Sequence, residues 1–87
     1  MSWEDTLDHI RHIDISAADL ARWEATAKRF QPMAPALLIE VSDLHTDPCK
    51  HRLGRAANAA RYAASIADEP LRTEAVALAE ELEQRSV

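Results

Sequence analysis

His9 and His12 stand three residues apart, and Asp5 and Asp8 each precede one of them by four. On a helix this spacing sets two imidazoles on one side, as the start of a zinc site would need. A carboxylate one turn back is equally the ordinary local partner of a histidine. A second group, His45, Cys49 and His51, gathers around one turn. Imidazole and thiolate suit zinc. However, Cys49 and His51 fall on opposite sides of a helical wheel, and the two-residue spacer of His9 and His12 does not recur in a second ligand pair. No metal ligand is assigned, and the sequence leaves both groups open. Cys49 is the only thiol, and Asp47 beside it opposes thiolate formation. The single glycine, Gly54, provides neither a phosphate-cradling loop nor a nucleophile elbow. The expectation is a protein with no catalytic residue and no cofactor.

The strongest candidate for a functional surface is a stripe. His51, Arg55, Asn58 and Tyr62 recur at i, i+4, i+7 and i+11, flanked by Arg52 and Arg61. Residues 50–61 carry four bases (Lys50, Arg52, Arg55, Arg61) and no acid, in a chain of net charge −5. Such a face can simply be solvated, its arginines paired with neighbouring acids for less than about 1 kcal/mol each. It can also be a binding face, because Arg and Tyr are enriched among residues that carry interface energy. His51, Arg52, Arg55, Asn58 and Tyr62 are therefore the candidate partner-binding residues.

Two small acidic helical families offer motifs to compare. Acyl carrier proteins present Asp-Ser-Leu at a helix start. This chain has Ser42-Asp43-Leu44, in reversed order and inside a segment, so that family is set aside. His51-Arg52-Leu53 followed by Ala56-Ala57 resembles histidine phosphotransfer domains, helical bundles with one exposed phosphorylatable His on a helix face. The family continues Leu-Lys-Gly after its His, whereas here Leu53-Gly54-Arg55 exchanges the glycine and the base. The resemblance implies a signalling role with His51 as phosphoacceptor, as the alternative to docking.

The elements that would position these residues are helical. Of 87 residues 17 are Ala, the residue that costs least to place in a helix, and no Asn-Gly or Asp-Gly turn is present. Five segments follow. The first runs from Ser2 to Ile13, capped by Ser2, with Trp3, Leu7 and Ile10 on one stripe. The second runs from Ala17 to Phe30, with Ser16 and Asp19 in capping-box spacing and Leu20, Trp23, Ala27 and Phe30 at helical period. The third, Ala36 to Leu44, is apolar nearly all round and should be the central, most buried element. It reads as helix after Pro35, although a buried strand of that length has the same pattern. The fourth takes Asp47 as cap and Pro48 as first residue and continues to Ala67. The fifth starts at Pro70 and runs to Arg85. Leu53, Ala57, Ala60, Ala64 and Ala67 form a small-residue seam, matched by Leu71, Ala75, Leu78 and Leu82 on the fifth segment. Pairing them within one chain gives a tight antiparallel hairpin; a helix from a second chain is the other way to fill the seam. The fold expected is all-α, a single helical domain over residues 1–87 with four to five helices.

Only 23 large apolar side chains are present, enough for one core. A thin core and an apolar third segment make a homodimer reasonable. The acidic balance argues against nucleic acid, though a helix-turn-helix use of the basic fourth segment is a further alternative. No stretch approaches a membrane span, and the acidic start is unlike a signal peptide, so a cytoplasmic protein is expected. The function expected is a small regulator, inhibitor or adaptor, bacterial or phage in character, that docks on another protein.

Overall fold

A computed structural model describes residues 3–87, with side chains from Thr6 onward. Five α-helices succeed one another: α1 (Trp3–Ile10), α2 (Ala17–Lys28), α3 (Pro35–Ser42), α4 (Lys50–Ile66) and α5 (Leu71–Arg85), with one 3₁₀ turn at Asp43–His45 after α3. No strand forms among the described residues, and the all-α expectation holds. The expected cap at Ser2 lies outside the described residues.

The first helix is shorter than its pattern predicts, ending at Ile10 rather than Ile13. Ile13 and Ile15 are half-buried against the core, while His12 before them and Asp14 between them face water. That alternation belongs to extended chain. The Ile13 N–H donates to the Pro48 carbonyl at 2.8 Å, and His12 pairs with Cys49 as an isolated antiparallel bridge. Leu7 and Ile10 remain exposed, because α1 leans chiefly on α4 and not on the core.

The second helix follows its signals. The Ser16 hydroxyl accepts from the Asp19 N–H at 3.0 Å, satisfying a donor that the first turn would otherwise leave orphaned. Leu20, Trp23, Ala27 and Phe30 are all buried. After Lys28 the chain tightens into i→i+3 turns through Phe30 and reaches Pro35, which opens α3 at its first position.

The third segment is a helix, but it is not the centre. Leu37, Val41 and Leu44 are fully buried, yet Ile39 is 60 % exposed on the opposite side. No described residue covers its outer face, so among the described residues the apolar run is buried on one side only. The central element is α4, whose Leu53, Ala56, Ala57, Ala60, Ala63 and Ala64 are all buried. On a 100° wheel these span an arc wide enough to meet α5 on one side and α3 on the other. Small side chains allow both neighbours to approach closely.

The α4 boundary also differs from its signal. Asp47 does not cap the helix and Pro48 is not its first residue; Cys49, extended at φ −147° and ψ 165°, precedes Lys50. Pro48 is held instead by the hydrogen bond its carbonyl accepts from the Ile13 N–H, and Asp47 is engaged by Arg52 and His12. The α4–α5 hairpin is as expected: Ala67–Pro70 turns the chain, and Ala75, Leu78, Ala79 and Leu82 close on the α4 seam. With its seam filled from within, α4 has no place there for a second chain. Of the features that make a second copy reasonable, the apolar α3 is buried on one side only and leaves Ile39 exposed on the other.

Candidate docking groove

The four bases of residues 50–61 are each met by an acid from another part of the chain. Lys50 Nζ lies 3.0 Å from Asp8 of α1, and Arg55 donates to Glu40 of α3 at 3.0 Å. Arg61 grips both oxygens of Glu83 on α5, at 2.7 and 3.0 Å. Arg52 is turned away from the stripe: its Nε donates to Asp47 Oδ2 at 3.0 Å, with Asp43 3.7 Å from its other end. This places Arg52 as a staple between α4 and the turn before it. The segment that reads as basic is thus largely neutralised, which weakens the electrostatic case for nucleic acid.

The same pairing is repeated between α2 and α5. Arg22 donates to both oxygens of Glu81, at 2.6 and 2.7 Å, and Arg85 joins Asp19 at 3.0 Å while stacking 5.5 Å over the Trp23 ring. Each of these carboxyls is held below its ordinary range: Asp19 chiefly by Arg85, Glu81 by Arg22, Glu83 by Arg61, Asp47 by Arg52 and Asp8 by Lys50. A carboxyl with a lowered folded-state pKa contributes stability that is complete above the unfolded value, about 4, and fades as pH falls through the folded one. The thermal midpoint, followed by circular dichroism, is therefore expected to stay level from neutrality down to about pH 5 and to fall below about pH 4. High salt should shrink the fall, because the pairs are solvent-exposed. An equal midpoint at pH 3 and pH 7 would contradict this.

The remaining candidates share one face. His51, Arg55, Asn58 and Tyr62 are exposed on the side of α4 away from its buried arc, with Tyr62 59 % exposed and Ile66, one turn on, 45 %. At the first half of this face the surface is concave. Two clefts, of about 330 and about 350 Å³, both have His9 and His51 in their walls, so they form one groove between α1 and α4. Thr6 and Ile10 extend it along α1; Arg55, Asn58 and Gly54 line the α4 side, and Glu83 and Ser86 close it from the end of α5. Three of the five sequence candidates, His51, Arg55 and Asn58, meet here. Tyr62 lies one turn beyond Asn58, and Arg52 belongs elsewhere.

Two groove residues escaped the sequence reading of function. The carboxylate expected beside His9, Asp5, lies outside the residues with described side chains; Asp8 reaches Lys50, and His12 pairs with Asp47 at 3.3 Å instead of with Asp8. Gly54 stands mid-helix, where glycine costs about 0.5–1 kcal/mol relative to alanine. A Cβ added there would meet nothing within 4 Å, so no contact inside the chain calls for glycine. The second metal-type group does not converge: His45 pairs with Glu24, Cys49 is buried, and His51 faces the groove. Among the described residues no three His, Cys, Asp or Glu side chains gather as a metal site would need.

The chain matches no family model, no curated protein and no solved structure. No described helix is long and apolar enough to cross a membrane.

Proposed function

We propose that this chain is a non-catalytic docking module, cytoplasmic in setting, that binds another protein through the outer face of α4. The observation that carries the reading is the contrast between the two sides of that helix. One side is closed by α3 and α5. The other presents Arg55, Asn58 and Tyr62 to solvent, next to a groove that no part of the described chain fills. An exposed tyrosine with an arginine seven residues before it supplies the side chains that most often carry interface energy.

The test is a double variant, Arg55→Glu with Tyr62→Ala. Both side chains are exposed, so the helical circular dichroism should not change. Binding to the partner should weaken about 100-fold or more, the combined loss of two anchoring residues. Undiminished binding by the folded double variant would remove this face as the docking surface.

A further inference from the structure

The five helices are not held to the molecule in the same way. Helices α2, α3, α4 and α5 each bury two or more side chains in the core. On α1 no described side chain is buried, and its apolar Leu7 and Ile10 are 42 % and 54 % exposed. The described link from α1 to α4 is polar: Lys50 Nζ donates to Asp8 at 3.0 Å. Between α2 and α5 the matching cation, Arg85, also covers the buried Trp23 ring, so charge there supplements apolar contact.

The chain is pinned again just beyond α1. His12 bridges to Cys49, and the Ile13 N–H donates to the Pro48 carbonyl at 2.8 Å. Ile13 and Ile15 pack half-buried against the core, and Ser16 then caps α2. Helix α1 thus has a fixed base at its end and a polar contact along its length. Its eight residues are too few to stay helical in water without tertiary support. Once lifted from α4, it unwinds.

We propose that α1 is a strap, hinged just before His12, that opens from α4 and unwinds while α2–α5 stay folded, with the Asp8–Lys50 pair as its latch. Opening bares the flank of α4 that carries Lys50 and His51. The device is independent of the docking reading, and loss of docking would leave it unchanged.

Amide hydrogen exchange on the full chain tests it. The Arg11 N–H, which donates to the Leu7 carbonyl at 2.9 Å, reports α1. The Ile13 N–H reports the base of the strap, and the Ala79 N–H, in mid-α5, reports global unfolding. Arg11 should be protected at least about tenfold less than Ala79, through an opening that depends only weakly on urea because it exposes little surface. Protection at Ile13 should exceed that at Arg11. Sodium chloride at about 1 M should speed exchange at Arg11 and leave Ala79 nearly unchanged, because an exposed ion pair is screened. Asp8→Asn and Lys50→Gln should each speed Arg11 about two- to fivefold, the range for such a pair. The double variant should do no more than either alone.

Equal protection of Arg11 and Ala79, with the same urea dependence, would show that α1 opens only with the whole fold and would overturn the proposal. So would an unprotected Arg11, since no closed strap would then exist. Additive effects of the two substitutions would remove the Asp8–Lys50 pair as the latch.

Discussion

Trp23→Ala is expected to leave the chain largely unfolded or close to it. Trp23 is the largest fully buried side chain, and no part of it is exposed. It sits on α2, which packs against both α3 and α5, and Arg85 covers its ring. Truncating a buried aromatic residue costs about 3–5 kcal/mol, through lost transfer energy and the cavity left behind. A domain of this length has roughly 4–13 kcal/mol of stability in total, so one substitution removes much of it. The indole N–H lies beside Glu81 and helps keep that carboxyl low, but it makes no hydrogen bond of good geometry. Trp23→Phe should therefore cost distinctly less than Trp23→Ala. Urea unfolding followed by far-ultraviolet circular dichroism measures both. A Trp23→Ala variant within about 1 kcal/mol of the parent would mean that α2 is not held to the core by this residue.

The second large effect is at the α4 seam. Ala60 is fully buried at the middle of α4, where the helix meets α5. Leucine there adds volume between two helices that small side chains hold close, and overpacking of this kind costs about 1–3 kcal/mol or more. Ala77→Leu, on the exposed side of α5, is the matched control and should change stability by no more than about 0.5 kcal/mol. Equal unfolding midpoints for the two variants would show that the seam has slack, and the close α4–α5 approach would have to be given up.

These two residues also show what the sequence made legible. Trp23 was readable because Leu20, Ala27 and Phe30 repeat its helical phase, and Ala60 because the seam is a one-dimensional pattern on a single helix. Ser16 announced its cap by its spacing from Asp19. The failures share a different cause. Ile13 and Ile15 alternate over three residues only, too short a run to outweigh the helical pattern before them. Leu37, Leu38, Ile39 and Val41 are all apolar, so the pattern could not tell how many neighbours α3 would have, and Ile39 ended on the outside. Arg22 and Glu81 lie 59 positions apart, and no local rule pairs them. The α4 stripe was visible, but the groove was not, since it needs His9 from α1 and Glu83 from α5 beside His51.

The central claim, that the outer face of α4 is where another protein sits, is tested most directly by site-specific photocrosslinking in the native host. A benzophenone amino acid is placed at Tyr62 in one version and at Gln84, exposed on α5, in another. Docking through α4 predicts one discrete heavier adduct from position 62, absent from position 84 and lost when Arg55→Glu is added. Equal adducts from both positions, or none from position 62 while the partner still co-purifies, would contradict it.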